Sequence, residues 1–204
     1  THSCLFNYKD KYPFTNLENS LGVIYVVRDP RNIVTSYANH HTKSLENVAD
    51  MMIEKSHMGG NLYVNKSKGD RTTVHTGTWA KNFQTWKSFN FENKYLLIKY
   101  EDLTKDPEIT FNKILEFIFN LNKTKFEIDR KKFNNVIKTT SFRYMQNLEN
   151  KYGFIESKIN PETNKKIKFF NLGPENNWKN LLNTKIVKKI EIAFKKEMIE
   201  LGYL

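Results

Sequence analysis

Cysteine is almost missing from this sequence: among 204 residues only Cys4 is one. An intramolecular disulfide is therefore impossible, and a cysteine-built structural zinc site is excluded. The shortage fits a reducing compartment, and the expected location is the cytoplasm. No run of about 18 apolar residues occurs, so no membrane-spanning helix is expected. No secretory signal peptide is visible. The chain starts at Thr1 rather than at a methionine, as a piece of a longer protein would. The phosphate-loop pattern Gly-x-x-x-x-Gly-Lys-[Ser/Thr] is absent too. Acidic residues are in deficit: 22 Asp and Glu face 33 Lys and Arg, for a net charge of +11. A basic chain suits an anionic partner such as nucleotide, nucleic acid or membrane surface. Lys and Asn are abundant throughout, however, so composition alone accounts for much of the charge and local clusters must decide.

A content of 39% hydrophobic and 14% aromatic residues is enough for one sizeable core, and a single domain over residues 1–204 is expected. Residues 22–28 (GVIYVVR) form a continuous apolar run rich in β-branched and aromatic side chains. Such a run predicts a strand buried on both faces, as in parallel sheets. Asp29-Pro30 follows, and Asp as a cap with Pro at the first helical position opens a helix over about residues 30–41. Ile33, Tyr37 and His40 share one of its faces. The pattern recurs. Residues 95–100 (YLLIKY) predict a second strand, and Asp106-Pro107 opens a helix to about Asn120, with Phe111, Ile114, Leu115 and Ile118 at helical spacing. A helix over 76–89 carries Trp79, Phe83 and Trp86, and the two tryptophans are read as core. A last helix over 184–201 turns Ile186, Ile190, Phe194, Met198 and Leu201 inward and its lysines outward. Strands alternating with helices predict an α/β fold with a parallel sheet flanked by helices. Residues 57–74 and 149–174 look irregular, and long loops in a compact domain usually serve as lids or binding loops.

Chemistry concentrates at residues 28–36. Arg28 ends a strand where a helix begins, and ligands of open α/β sheets bind outside the carboxyl ends of strands. Helix N-termini favour anions, and a guanidinium fork suits phosphate. Ser36 lies two turns into the helix, where its hydroxyl can serve the same anion. A structural ion pair for Arg28 and an ordinary helix position for Ser36 remain open. Glu101 and Asp102 are adjacent on what reads as extended chain, so they should point apart and be structural.

The segment YVVRDPRNIVTSY, residues 25–37, resembles the 3'-phosphate-binding segment of the cytosolic, 3'-phosphoadenylyl sulfate (PAPS) dependent sulfotransferases. There an Arg at the strand end and a Ser eight positions later hold the 3'-phosphate, and Arg28 and Ser36 keep that spacing. Further matches run in the family's order. Thr1-His2-Ser3 is similar to the end of a Lys-Thr-His segment, which implies His2 as catalytic base. GTWAKNFQTWKSF (77–89) resembles a helix with paired Trp residues. YLLIKYEDLTKDP (95–107) places Tyr100 on the cofactor's adenine side. TTSFRYM (139–145) places Thr140, Ser141 and Phe142 against the adenine. FFNLGPENNWKNLL (169–182) keeps a Gly–Trp spacing at Gly173 and Trp178.

The resemblance implies a P-loop NTPase-like sulfotransferase fold, N-terminally incomplete because the family's phosphate-binding loop is not matched. It implies sulfuryl transfer from PAPS, without a metal, to a small-molecule, glycan or lipid hydroxyl or amine. No specific nucleic acid is implied. Asn171-Leu172 stand where the family has Arg-Lys before the Gly, so Gly173 would offer a backbone donor and Lys165, Lys166 or Lys168 the charge. The family's dimerisation motif is not kept. Two other functions stay open: a noncatalytic nucleotide- or anion-binding fragment or homologue, and a phosphotransferase of nucleotide-kinase type.

Overall fold

The computed structural model describes residues 7–8, 12–13, 15–16, 18–54, 58–60, 73–75, 77–89, 93–160 and 163–204. The elements run β1 (Asn7–Tyr8), β2 (Tyr12–Pro13), β3 (Val23–Val27), α1 (Pro30–His41), α2 (Leu45–Ile53), β4 (Met58–Gly60), β5 (Thr73–His75), α3 (Trp79–Lys87), β6 (Tyr95–Lys99) and α4 (Tyr100–Lys105). They continue through α5 (Pro107–Leu121), α6 (Arg130–Thr139), α7 (Phe142–Tyr152), β7 (Lys158–Ile159), β8 (Lys166–Ile167), a 3₁₀ turn (Gly173–Glu175), α8 (Trp178–Leu181), α9 (Thr184–Ala193) and α10 (Lys195–Glu200). Strand β3 pairs in parallel with β6, Val23 opposite Tyr95 through Val27 opposite Lys99. The remaining strands form short antiparallel pairs, β1 with β2, β4 with β5 and β7 with β8.

The parallel pair and the helices between its strands are the α/β arrangement expected. Helix α1 spans the anticipated residues, with the Asp29 side chain accepting from Arg31 N and Pro30 in the first turn. The two segments expected to be irregular each carry a short ladder: β4 (Met58–Gly60) pairs with β5 (Thr73–His75), and β7 and β8 lie within 149–174.

Three expectations need correction. Strand β3 is not buried on both faces: Val23 and Val27 are 7% and 2% exposed, but Ile24 and Val26 are 38% and 51% exposed. Among the described residues only β6 pairs with β3, which leaves the other edge of β3 unpaired, and nothing described covers the face that carries Ile24 and Val26. The final helix is two helices, because Phe194 at φ −120°, ψ 18° breaks the backbone between α9 and α10. Glu101 and Asp102 sit on α4 rather than on extended chain. Their structural reading holds for Glu101, which accepts from Asp29 N at 3.4 Å and from the Tyr203 hydroxyl at 3.0 Å.

The core forms where α1, α2, α9 and α10 meet. Val34, Ala38, Val48, Ala49, Met52, Ile186, Ile190, Phe194 and Met198 make one buried cluster. A second joins the sheet to α3 through Val27, Phe83 and Leu201. Trp79 stacks on Phe83 and packs on Phe194, and Trp86 packs on Phe89, so both are structural. Helix α5 is less covered than its pattern suggests: only Thr110 is buried, and Ile118 is 38% exposed.

A buried ion network fixes the start of α1. Arg31 is 6% exposed and Asp29 likewise 6%. Arg31 donates Nε to Asp29 Oδ1 at 3.0 Å and Nη2 to Asp29 Oδ2 at 2.7 Å. Nη1 donates to Glu191 at 2.6 Å and Nη2 to the Tyr203 carbonyl at 2.8 Å. The guanidinium lies 4.0 Å over the Trp178 ring. Both charges are thus paired and hydrogen-bonded, the condition under which buried ions are tolerated. The network ties α1 to α9 and to Tyr203.

Candidate nucleotide site

Arg28 leaves the end of β3 and meets three features. Its guanidinium lies 4.2 Å over the Tyr100 ring. Its Nη2 donates to the Gly173 carbonyl at 2.8 Å. Its Nε is buried with no hydrogen-bond partner among the described residues. A buried donor left unpaired costs about 1–3 kcal/mol, so its presence at the end of β3 calls for a physical reason. Among the described residues Arg28 makes no ion pair, whereas Arg31 does.

Arg28 lines a cavity of about 440 Å³ together with Ser36 and Gly173. Ile33, Ser36, Tyr37 and His40 line it from α1, at i, i+3, i+4 and i+7, so one helix face forms its floor. The face seen in the sequence therefore serves the cavity, while Val34 and Ala38 serve the core. Phe142, Phe169, Phe170, Asn171 and Leu172 complete the opposite wall, with Glu156 at the side.

Gly173 is buried and sits at φ +53°, in the left-handed region. A Cβ there would lie 2.3 Å from the Phe142 ring, so only glycine fits. Leu172 before it is right-handed, at φ −89°, ψ −33°. A right-handed residue followed by a left-handed one turns successive backbone N–H groups toward one point, a nest that suits anions. The Gly173 carbonyl is held by Arg28, so the glycine is engaged through its acceptor as well as available through its donor. Its position relative to α1 is set by Asn176, which is 4% exposed. Asn176 donates Nδ2 to the Asn32 carbonyl at 2.8 Å and accepts from Thr35 at 2.7 Å. Trp178 N donates to Asn32 Oδ1 at 2.9 Å.

A second cavity, of about 310 Å³, adjoins the first and shares Tyr100, Phe142 and Phe170 with it. Thr140 and Ser141 line this one and not the first. Its other walls include Leu103, Pro107, Phe111, Ile137 and Met145, so it is largely apolar. The Thr140 hydroxyl donates to the Val136 carbonyl at 2.7 Å. Ser141 caps α7, accepting from Tyr144 N at 3.4 Å and donating to the Lys138 carbonyl at 2.8 Å. The cap aims Phe142, the first residue of α7, at the partition between the two cavities.

Arg28 is the one cation and Glu156 the one carboxylate among the described residues that line the cavity. Burial pushes the Tyr100 phenol above its ordinary value, against the pull of Arg28. Burial and Lys158 push the His40 imidazole below its ordinary value, with Glu156 partly offsetting them. His40 is therefore mostly neutral at pH 7. The three lysines expected to replace the missing Arg-Lys, Lys165, Lys166 and Lys168, do not line the Arg28 cavity. His2 lies outside the described residues. Among those residues, no cluster of three or more His, Cys, Asp or Glu is gathered for a metal ion. No described helix is long and apolar enough to cross a membrane.

The sequence thus located Arg28, Ser36 and Gly173 in one cavity and Tyr100 and Phe142 on its partition. It did not single out Phe170, Asn176 or Glu149, which shape the wall. Asn176 and Glu149 act largely on backbone groups distant in sequence, and no spacing announces such contacts.

Comparison with known proteins defines the class. The chain belongs to the sulfotransferase family: the family model for the sulfotransferase domain matches residues 10–202. It is similar to sulfotransferase 2A6 of Mus musculus, 26% identical over 184 residues, covering 87% of this chain and 56% of that protein. Sulfotransferase 2A1 of Homo sapiens is 25% identical over 190 residues, covering 93% of this chain and 61% of that one. The chain thus spans little more than half the length of these relatives. Mouse sulfotransferase SULT7A1, solved in complex with PAP, superposes with a TM-score of 0.59 at 17% identity, covering 93% of this chain and 63% of that one. The fold is accordingly the P-loop NTPase-like α/β fold of sulfotransferases.

Proposed function

We propose that the protein is a PAPS-dependent sulfotransferase, in which the Arg28 cavity takes the 3'-phosphate of the donor and the adjoining cavity takes its adenine. The observation that carries this reading is that Arg28, Ser36 and the left-handed Gly173 line one cavity at the end of β3. An orphaned guanidinium donor, a hydroxyl and a backbone nest are a donor set suited to a phosphate. Membership of the sulfotransferase family and the PAP bound to a structural relative support the same ligand.

Each side chain then has a part. Arg28 supplies the fixed charge and its free N–H donors, with Tyr100 holding the guanidinium plane. Ser36 donates its hydroxyl from α1. The N–H groups of Leu172 and Gly173 take over from the cations absent at Asn171-Leu172. Phe142 offers a ring face to the purine. The Thr140 hydroxyl, its proton already committed to Val136, can only accept, which suits an exocyclic amino group. Ser141 acts through the start of α7 that it caps. His2 takes the acceptor's proton as general base. PAPS supplies the sulfuryl group and leaves as adenosine 3',5'-bisphosphate. Anchoring the far phosphate fixes the reacting end by position, the source of most rate enhancement in such transfers. The acceptor is a hydroxyl or amine of a small molecule, glycan or lipid. Residues 1–204 act as one domain, in the cytoplasm, with no metal and no nucleic-acid partner required.

Calorimetry tests the reading. Adenosine 3',5'-bisphosphate should bind at least tenfold more tightly than adenosine 5'-monophosphate, without divalent metal. Equal affinities would remove the 3'-phosphate site and the sulfotransferase assignment with it. In the full-length protein, His2→Ala should abolish transfer and leave nucleotide affinity intact.

A further inference from the structure

The wall segment 168–173 is built from side-chain clamps on its backbone. Asn39 Nδ2 donates to the Lys168 carbonyl at 3.0 Å. Gln146 Nε2 donates to the Phe170 and Asn171 carbonyls at 3.0 and 3.1 Å. Glu149 accepts from two consecutive backbone donors, Phe169 N on Oε1 at 2.7 Å and Phe170 N on Oε2 at 2.9 Å. The Ser157 hydroxyl donates to the same carboxylate. Glu149 is 3% exposed, so its charge is stabilised by these donors rather than by water.

Phe142, Gln146 and Glu149 fall at i, i+4 and i+7 on α7, one above the other on a single face. That face meets the wall segment residue by residue: Phe142 against Gly173, Gln146 on residues 170 and 171, Glu149 on 169 and 170. We propose that Glu149 is a positioning residue of the phosphate site: its carboxylate fixes the segment that presents the Leu172 and Gly173 N–H groups and the carbonyl that orients Arg28. The inference rests on reading that cavity as the nucleotide 3'-phosphate site. A carboxylate is required because both of its oxygens accept. A glutamine would turn an NH₂ toward one of the two backbone donors, and an aspartate would fall a methylene short of them.

The test compares two nucleotides in two variants of this chain, by calorimetry, with hydrogen exchange at the Phe169 and Phe170 amides alongside. In Glu149→Gln, affinity for adenosine 3',5'-bisphosphate should fall at least tenfold, while affinity for adenosine 5'-monophosphate changes less than twofold. Exchange at the two amides should accelerate. Glu149→Asp, which keeps the charge, should lose less. A purely structural role would weaken both nucleotides together and leave their ratio unchanged. Should Glu149→Gln retain the wild-type preference for the bisphosphate, the positioning role is overturned and the nucleotide reading stands. Should the wild-type chain show no preference, both fall. If Glu149→Gln does not fold, Glu149→Asp decides: a reduced preference supports the role and a wild-type preference overturns it.

Discussion

Replacing Arg28 with methionine separates what the residue does for a ligand from what it does for the fold. In the protein alone, Arg28 contributes one hydrogen bond to the Gly173 carbonyl and a stacking contact over Tyr100. These are worth about 1–3 kcal/mol together. Against them stands the unpaired, buried Nε, which costs a similar about 1–3 kcal/mol. Methionine keeps an apolar stem over Tyr100 and removes the orphan, so the net change in stability should be close to zero. A melting curve should move by no more than about 4 °C, since about 1 kcal/mol corresponds to 2–4 °C in a domain of this size. Binding should respond very differently. One or two charge-assisted hydrogen bonds to a phosphate are lost, about 2–4 kcal/mol. That is a drop of about 30- to 1,000-fold in affinity for adenosine 3',5'-bisphosphate by calorimetry. Adenosine 5'-monophosphate should be nearly unaffected. An unchanged bisphosphate affinity would refute the assignment. A collapse in melting temperature would refute the premise that the Arg28 donor is held in reserve for a ligand.

Arg31→Ala should behave in the opposite way. It strands the buried Asp29 carboxylate, so thermal melting should reveal a loss of about 3–5 kcal/mol. Gly173→Ala must both adopt φ +53° and displace the Phe142 ring, so it should lower stability by about 1–3 kcal/mol and weaken bisphosphate binding together. Phe142→Leu added to it should recover part of the steric share, measured as a double-mutant cycle of melting curves. Burial alone would raise the Glu149 carboxyl, but hydrogen bonds from Ser157, Phe169 N and Phe170 N, with Lys166 nearby, outweigh it and hold the group below the usual carboxylate range. Its contribution to stability is then complete above the unfolded carboxyl value of about 4.3 and is lost as pH falls through the lower folded value. The stability gap between the wild type and Glu149→Gln should accordingly be flat from pH 5 to 8 and shrink only below about pH 4.

How much the sequence announces depends on whether a feature has a local cause. Helix α1 could be bounded to the residue because Asp29 caps it and Pro30 starts it, both acting within one turn. The inward set Ile186, Ile190, Phe194, Met198 and Leu201 was legible even though the helix breaks at Phe194. The break redirects the backbone without taking any of those side chains out of the core. The exposed face of β3 was not legible, since Ile24 and Val26 read as core whatever lies over them. Helix α2 was missed altogether, although Val48, Ala49 and Met52 in it are fully part of the core. Its apolar stripe is only as long as one short helix, too brief for periodicity to rise above its surroundings.

The site divides along the same line, and the division bears on what holds the phosphate. Arg28 and Ser36 were recoverable because strand end and helix floor are a fixed distance apart in sequence. The replacement for the family's Arg-Lys pair was sought among charges, at Lys165, Lys166 and Lys168, and none of these lines the cavity. In the proposed site the compensation would lie in geometry instead: a right-handed Leu172, a left-handed Gly173 and a buried carboxylate on α7 that holds the preceding backbone in place. A lysine side chain brings a full charge but must lose rotamer freedom to use it, whereas a clamped backbone N–H has already lost its freedom on folding. The site therefore exchanges long-range attraction for pre-organisation. That exchange has a measurable signature. With a single fixed cation at the phosphate, the bisphosphate affinity should depend only weakly on salt, because screening acts on the one Arg28 charge and hardly on backbone dipoles at contact distance. A steep loss of affinity between 50 and 300 mM salt in calorimetry would mean that lysines outside the cavity reach the phosphate after all, and the nest would then be a bystander.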